Sequence, residues 1–498
     1  MSKTSLNFAG SIFVFFLLAL FQGGVLEAST PLSIAEAVQK AVSYSPSLKA
    51  MACGEEAANE RIGEAHAMKA VKINLGIDDT RLDSPMLAFG ARLNQGRIAA
   101  EDFSPSRLNA PNAINNLRAA LQVIAPLSLG GMDKNAVAAA REGVKIASLE
   151  TSRIRQETIY RVIEIYLGAI LARESVSVAE TAQSASRASV RNAEAAVEAQ
   201  RTVQSDLLQA RVHHSQNEEN FLRRQNQYQL ALDSLAVIMG VPSATHFDLT
   251  MPFLQQTCSV CKEEPEKLMK IALAKRPDFL KVARQSAALG NQERMARGAI
   301  RPHLAVGASA EHNSERLGDS GHGNNLVFAR IDWNIADGGE ALHKSAAAKK
   351  QREAVNNSAE AVADSIFLEI RTAVTSINNA LERIRVSREA VTQSEESLRI
   401  LRDRYTAGLA IMSDLLSAET SLSSHRMNYL QALYDYAISK ARLKMALGQL
   451  TPEDCEILST QDTVPATVSS TESSVISPSF DIEQSAQASG SAQGATQK

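Results

Sequence analysis

The sequence predicts a mainly α chain with a membrane β-barrel, built from two tandem repeats that each supply two strands and one long coiled-coil helical hairpin. Three observations predict this fold: an export signal, an internal duplication, and heptad spacing of apolar residues on long helices. Of the 498 residues, 45% are hydrophobic but only 5% are aromatic. So few aromatic residues argue against several compact cores and favour extended helices that pack through small side chains.

The N-terminus carries the features of a secretory signal peptide in their usual order. Lys3 gives a positive start, an apolar run covers Ile12 to Phe21, and small and polar residues then lead to Ala28. We expect cleavage after Ala28, which removes residues 1–28. A retained membrane anchor is the alternative, but the apolar run has only about half of the length that spans a bilayer.

No later segment contains about 18 unbroken apolar residues, so no transmembrane helix is expected. A mature chain that enters a membrane would therefore do so as a closed β-barrel, because lipid does not tolerate open strand edges. Four strands per chain cannot close a barrel, so several chains must share one. Cyclic symmetry is the simplest arrangement that allows this.

The chain contains an internal repeat with an offset of 338 − 130 = 208 residues. Gly130-Gly131 recurs as Gly338-Gly339, and the Ser-Asp-Leu-Leu segment at Ser205 recurs at Ser413. In the second copy, apolar residues between Ile370 and Leu398 follow a heptad seam. The first copy keeps the phase of this seam more weakly.

The repeat defines the domain organisation. Each copy begins with a short helical stretch that contains a proline junction, Ser45-Pro46 in the first and Arg276-Pro277 in the second. Beyond Thr451 the chain is rich in Ser, Thr, Gln and Ala, which is typical of disorder. The predicted boundaries are a signal peptide at 1–28, a first repeat at 29–244, a linker at 245–263, a second repeat at 264–450 and a tail at 451–498.

Two segments with strand character follow the helical stretch in each copy. In the second copy they are His303–His312 and Leu326–Ile335, and the latter alternates an apolar and a wet face. The first copy offers Ile73–Leu93 and Leu117–Leu129. It also carries extra residues before its glycine pair, and we expect a polar loop at Asn94–Asn116.

Each glycine pair precedes a helix of roughly 65 to 70 residues, which is on the order of 100 Å long. These helices are predicted to end near Gln200 and Tyr405. The returning helices are predicted to end at Gly240 and Gly448, because glycine is a favoured C-cap. At the first turn, Gln200 stands where the second copy has Gly408.

Four short motifs mark the repeats. They are Leu127-Ser128-Leu129-Gly130-Gly131, Arg276-Pro277-Asp278, Asp337-Gly338-Gly339, and Arg404-Tyr405-Thr406-Ala407-Gly408 with Ser413-Asp414-Leu415-Leu416. Their order, spacing and duplication resemble the TolC-like outer membrane efflux protein family over about residues 31 to 450. The resemblance implies a homotrimer with a twelve-stranded barrel in outer-membrane lipid and an α-helical periplasmic tunnel. It also implies an exit duct of a tripartite efflux or type I secretion system, whose partners are a periplasmic adaptor and an inner-membrane pump or exporter.

The hairpin turns carry the candidate site residues. Ser205 and Ser413 are expected to cap the returning helices, with Asp206 and Asp414 in the first helical turn, where the helix dipole favours a carboxylate. A purely structural role at the helix start is one interpretation of these aspartates. The other is a ring of carboxylates that binds cations at a periplasmic constriction.

The resemblance implies further roles at the same turns. Asp206 corresponds to a residue that links neighbouring hairpins in the closed gate of the family, and Tyr405 corresponds to one of its partners. Asp414 corresponds to the outer of two constriction carboxylates, and Ser417 replaces the second. Ala410 replaces an arginine that is common in the gate. We therefore expect a gate that leaks more and is blocked less by cations.

The remaining motifs give no case for an enzyme, a cofactor, a metal or nucleic acid. Cys258 and Cys261 have the spacing of a metal or redox pair, but a second ligand pair is missing, and a small disulfide or free thiols stay open. Adjacent His213 and His214 point to different sides of a helix and are expected on the surface. The sequence has no nucleophile elbow, phosphate loop or metalloprotease motif. The formal net charge of −3 does not favour nucleic acid.

Two other classes of protein compete with the channel. A periplasmic adaptor also has a helical hairpin, but normally one hairpin flanked by small β domains. A secreted coiled-coil scaffold without a pore would not need the alternating strand segments. Neither is expected as an integral outer-membrane protein, so membrane fractionation separates both from a channel.

Overall fold

The computed structural model describes residues 30–242, 247–250 and 263–453. The predicted signal peptide, the Cys258 and Cys261 pair and the tail beyond residue 453 lie outside these ranges. Cys53 is exposed and its thiol is free. Among the described helices, none combines the length and the apolar character that a membrane span needs.

Short helices, long strands and long helices follow one another in the same order in both repeats. Before the linker the elements are β1 (Thr30–Leu32), α1 (Ile34–Tyr44), α2 (Pro46–Ala67), β2 (Lys72–Leu82), α3 (Pro85–Asn94), a 3-10 turn (Ala100–Phe103), α4 (Pro105–Asn109), β3 (Ile114–Leu129), α5 (Met132–Glu198) and α6 (Gln204–Met239). From the linker onward they are β4 (Phe247–Leu249), α7 (Pro265–Lys275), α8 (Pro277–Gly298), β5 (His303–Ser314), β6 (His322–Asp332), α9 (Glu340–Thr406) and α10 (Met412–Ala446). Both predicted proline junctions separate consecutive helices.

The long helices have the internal repeat that the sequence predicts. α5 and α9 each contain 67 residues, and they begin 208 positions apart at Met132 and Glu340. α6 and α10 contain 36 and 35 residues and begin at the same offset. Gly130 and Gly338 have φ of +63° and +65°, and the glycine after each has +88° and +89°. Each pair makes the same left-handed turn, a conformation that glycine adopts without steric cost.

The four long strands form one antiparallel sheet in the order β2-β3-β5-β6, so the strand pairs of both repeats are neighbours. β2 and β6 are its edges, and no other described strand pairs with either of them. Large apolar side chains on these two strands are exposed in the single chain. They are Ile73, Leu75, Ile77, Leu326, Val327 and Ile331.

Two strands were predicted to extend too far at their C-terminal ends, and the second also begins earlier than predicted, at His322 rather than Leu326. The strand expected to reach Leu93 stops at Leu82, and α3 follows it from Pro85. Proline cannot donate a ladder hydrogen bond but fits the first turn of a helix, so Pro85 ends the strand and starts the helix. β6 ends at Asp332 rather than Ile335. Beyond it, Trp333 donates from Nε1 to the Ile300 carbonyl at 3.1 Å.

The polar loop predicted at Asn94–Asn116 is instead part of a folded cap between β2 and β3, which contains α3, the 3-10 turn and α4. The buried Gln95 side chain donates from Nε2 to the Asn115 carbonyl and to Asn116 Oδ1, both at 2.9 Å, and to the Ser314 carbonyl at 3.3 Å. Asn116 Nδ2 donates to Asn313 Oδ1 at 3.2 Å. This amide network holds the cap on the ends of β3 and β5.

Gln95→Leu is expected to release the cap, because two buried acceptors and one part-buried acceptor lose their donor. Each unsatisfied buried group costs about 1–3 kcal/mol. Limited proteolysis should therefore cleave residues 96–112 several-fold faster than in the unmodified protein. Arg97→Gln is the matched control, since it removes only an exposed ion pair with Glu315, which contributes little. Equal cleavage of the Gln95→Leu variant and the unmodified protein would contradict the role of Gln95.

The chain forms two compact units, and each draws on both repeats. The sheet belongs to the unit that contains residues 47–154 and 272–367. The other unit contains the hairpin turns and the parallel pair of β1 and β4. In its core, buried Tyr166 donates from its hydroxyl to the carbonyls of Leu32 and Thr250, both at 2.7 Å.

Candidate functional site

The two hairpins turn through the same backbone motif. Gln200 and Gly408 adopt the left-handed conformation, with φ of +60° and +73°. The backbone N–H of Arg201 and that of Leu409 then each close the turn with a 2.8 Å bond to a carbonyl five residues earlier. Such a Schellman motif normally takes glycine at the left-handed position. Gln200 is the one non-glycine residue with positive φ in the described ranges.

Gln200→Gly is expected to stabilise the first turn. A residue with a Cβ atom in the left-handed region costs about 1–2 kcal/mol, and glycine removes this cost. The melting temperature of the purified protein should rise for Gln200→Gly and fall for the reciprocal Gly408→Gln. Unchanged melting temperatures in both variants would show that the turns do not carry this strain.

The N-caps of the returning helices lie two residues before the predicted serines. Val203 and Ile411 are the extended cap residues, with φ of −93° and −92°, and neither makes a side-chain capping bond. The preceding turn fixes where the chain becomes extended, so serine's preference for the cap does not decide the position. Asp206 and Asp414 lie in the first turns of α6 and α10, as predicted, where the helix dipole stabilises a carboxylate.

An apolar cluster holds the two turns together. It is built from the ends of all four long helices, so the turn of one hairpin packs with the turn of the other. Its buried members are Ala193, Leu207, Ala210, Leu398, Met412, Leu415 and Leu422. Tyr405 packs against this cluster and is half-buried.

Asp206 and Tyr405 lie close enough to interact electrostatically. Burial first, and then the negative charge of Asp206, raises the pKa of Tyr405. The phenol therefore stays a neutral donor near neutral pH. Its hydroxyl is enclosed and has no hydrogen-bond partner in the described part of the chain, while Asp206 accepts a bond from Thr202 Oγ1 at 2.5 Å.

The other two candidate residues lie on the surface. Asp414 and Ser417 are both exposed, in the first two turns of α10. Residues three positions apart share one face of a helix, so the carboxylate and the hydroxyl lie side by side. This face could bind a cation through one carboxylate per chain rather than two.

The histidine prediction was wrong, because His213 and His214 are half-buried rather than on the surface. The side chain of His213 is 13% exposed. It packs between hairpins, where its Nε2 lies 3.2 Å from Thr420 Oγ1 on α10. His214 Nδ1 lies 3.0 Å from Ser186 Oγ on α5. Adjacent positions on α6 can both be covered because two neighbouring helices pack against it.

Sequence reasoning also missed a buried acid beside the turns. The side chain of Glu419 is only 6% exposed. A signal was present: Glu419 occupies a seam position in the apolar series Met412, Leu415 and Leu422, which are spaced as on a heptad helix. A polar residue at such a position is buried by the partner helix.

Two equivalent helical hairpins, joined to a sheet with two free edges and exposed apolar side chains, define the class of outer-membrane export channels. The family model described as outer membrane efflux protein matches residues 37–241 and 268–449, and the chain belongs to this family. It is an efflux protein of the outer membrane, from a family of channel proteins rather than enzymes. The resemblance drawn from the duplicated motifs is confirmed.

Similar proteins agree with this assignment. The chain is 22% identical to the alkaline protease secretion protein AprF of Pseudomonas aeruginosa over 332 residues, which are 66% of this chain and 69% of AprF. Other curated relatives match over 28% to 40% of their own length.

Solved structures share the fold. The match to a structure of CusC covers 84% of this chain and 93% of the CusC chain, with a TM-score of 0.71 and 16% identity. The match to the outer membrane protein VceC of Vibrio cholerae covers 83% of this chain and 96% of the VceC chain, with a TM-score of 0.68 and 19% identity. At these identities the likeness shows the fold alone.

Proposed function

We propose that three copies of the chain assemble into an exit duct for a tripartite efflux or type I secretion system. In this role the duct receives its substrate from a periplasmic adaptor and an inner-membrane pump or exporter, and releases it outside the cell. The name of AprF, a protease secretion protein, supports the secretion form of this role.

An uncovered apolar face on α6 carries the proposal. Leu208, Leu230 and Val237 are 53%, 64% and 67% exposed in the single chain. Their equivalents, 208 positions later, pack against apolar clusters of the same chain. These equivalents are Leu416, Ile438 and Met445.

The second hairpin thus packs on the first, whereas the matching face of the first hairpin has no cover among the described residues. A second copy offers the required surface. Its second hairpin is the repeat equivalent of the first hairpin, so the apolar face of α6 in one copy can pack on the second hairpin of the next copy. Such a head-to-tail contact generates a closed ring when the rotation from one copy to the next closes, as this proposal requires. The free edges of β2 and β6 can pair between copies in the same order, so that the strands of three copies close the sheet on itself.

The hairpin turns form the gate in this proposal. Asp206 and Tyr405 are the contact that opens and closes between hairpins, and the Tyr405 hydroxyl is a donor that no acceptor among the described residues uses. Asp414 supplies one carboxylate per copy to a cation-binding ring, and Ser417 stands where a second carboxylate would strengthen it.

Single-channel conductance of the mature protein in a planar bilayer, titrated with a divalent cation, tests the proposal. We expect discrete, long-lived openings that the cation blocks weakly. Asp414→Asn should weaken the block further, and Ser417→Asp should strengthen it. Ser234→Asp, which adds a carboxylate on α6 away from the turns, should leave the block unchanged.

Each failure has a separate meaning. A protein that is absent from the outer membrane and conducts nothing would favour the adaptor or scaffold. An unchanged block in Asp414→Asn would remove the constriction role from that residue. A correctly located trimer that stays silent would mean a tightly shut gate and would contradict the leaky gate expected from Ser417 and Ala410.

A further inference from the structure

Three long helices each place a side chain beside the carboxylate of Glu419, which belongs to the fourth. Its Oε1 accepts a hydrogen bond from Ser189 Oγ of α5 at 2.9 Å. His213 of α6 places Nδ1 3.8 Å from Oε2. Arg402 of α9 places Nη2 4.0 Å from Oε1. Glu419 itself, on α10, therefore lies in the seam between the two hairpins of one chain.

The ionised form of this carboxylate is poorly compensated. Oε2 is buried and has no hydrogen-bond partner within the described residues. Arg402 is half exposed and at the outer limit of an ion pair. A buried charge that lacks full pairing is costly, and the cost disappears when the group takes up a proton.

The first repeat shows that the fold does not require a buried acid here. The residues equivalent to Glu419 and Arg402 are Arg211 and Glu194, 208 positions earlier, so the signs of the two charges are exchanged. Arg211 and Glu194 form an ion pair at 2.9 Å, and both are exposed in the single chain. A buried acid at this position is thus a property of the second hairpin alone.

We propose that Glu419 is a proton-binding switch in the seam between the two hairpins of each chain. The seam is tightest when the carboxyl is protonated and loosens when it ionises. Met412, which begins α10 at the turn, is seven residues before Glu419, about 10 Å along the helix. The switch therefore acts on the packing of the turns. It depends on contacts inside one chain and goes beyond the transport function.

The direction of the pH dependence follows from the two buried groups. Burial raises the pKa of Glu419, and the Ser189 hydrogen bond and Arg402 oppose this shift only in part. The stabilisation by the protonated carboxyl is complete below its ordinary pKa and is lost as the pH rises through the raised pKa. Burial, and then His214, lowers the pKa of His213. The contribution of neutral His213 is present above its ordinary pKa and is lost as the pH falls through the lowered pKa.

Further charged side chains line a cleft beside Glu419. The cleft has a volume of about 280 Å³ and is lined on α5 by uncharged residues. Its other charged groups are Glu395, Arg399 and Arg402 of α9 and Arg426 of α10. Arg426 pairs with Glu395 at 2.7 Å, and Arg399 pairs with Asp403 at 3.0 Å and with Glu396. These pairs leave Arg402 as the cation nearest to Glu419.

Hydrogen exchange of the full-length protein, read by mass spectrometry between about pH 5 and about pH 8, tests the switch. The amides of residues 412–425 in α10 are compared with those of residues 430–443, farther along the same helix and in the same sample, so that the intrinsic pH dependence of exchange cancels. We expect exchange of residues 412–425 to accelerate relative to the reference segment as the pH rises. One proton allows at most about a tenfold change per pH unit.

Three variants assign the effect. Glu419→Gln keeps the shape of a protonated carboxyl and should abolish the acceleration at high pH. Arg211→Gln, at the equivalent position of the first repeat, should behave like the unmodified protein. His213→Gln should keep the acceleration at high pH and remove any loosening at low pH.

A constant ratio between the two segments in the unmodified protein would overturn the proposal. So would an unchanged slope in Glu419→Gln, or a slope at high pH that disappears in His213→Gln. If Glu419→Gln does not fold, the unmodified protein and His213→Gln still decide. None of these results depends on conductance, so failure of the pore proposal would be recognised separately.

Discussion

Leu230→Asp is expected to abolish assembly of the chain into trimers. Leu230 is 64% exposed in the single chain, but its repeat equivalent Ile438 is packed against the core. Burying a leucine between copies contributes about 1.5–3 kcal/mol, and an unpaired buried carboxylate costs several kcal/mol more. The loss occurs at every interface of the ring. Size-exclusion chromatography with light scattering, in detergent, should show monomers.

Ser234→Asp is the matched control for this variant. Ser234 lies one helical turn from Leu230, and both Ser234 and its equivalent Arg442 are exposed. The repeat therefore predicts that position 234 stays uncovered in the assembly, and the trimer should persist. A Leu230→Asp trimer with unaltered stability would mean that this face of α6 is not the contact between copies.

Gly130→Ala is expected to destabilise the fold by about 2–5 kcal/mol. At φ of +63°, an added Cβ would lie 2.5 Å from the Gly298 carbonyl oxygen and 2.9 Å from Arg301 Cβ. The left-handed conformation accounts for about 1–2 kcal/mol of the loss. The clash, which backbone atoms cannot easily relieve, accounts for about 1–3 kcal/mol. Thermal unfolding followed by circular dichroism should show a melting temperature several degrees lower, with less protein recovered from the outer membrane.

Gly318→Ala separates the two contributions. Gly318 also has a positive φ, of +90°, but no atom lies within 4 Å of its Cβ position. This variant should lose only the conformational part. Equal losses in the two variants would show that the close approach to Gly298 has no energetic importance.

The repeat let the sequence predict most of the helical architecture. The glycine pairs require left-handed backbone, which side chains resist, so they mark the same turn wherever they occur. Pro46 and Pro277 likewise begin helices for a local reason, because proline fits the first helical turn. Such determinants act within a few residues, and a single sequence contains them.

Tertiary contacts decided the features that the sequence did not predict. The cap between β2 and β3 depends on Gln95 reaching Asn116 and Ser314, and Ser314 is 219 residues away from Gln95. The burial of His213 depends on Thr420, 207 residues away. No local pattern around either residue records these partners. Glu419 was the exception, since its place among apolar seam residues could have been read from spacing alone.

The exchange of charges between the two repeats has a consequence for how a ring of hairpins can move. A ring of six identical subunits would have six identical contacts between neighbours. A mutation that changes one contact would then change all six. Here one chain supplies two types of contact between hairpins, one beside Glu419 and one beside Arg211. Natural selection can change the two types independently, so the contacts beside Glu419 can loosen with pH while the contacts beside Arg211 stay closed.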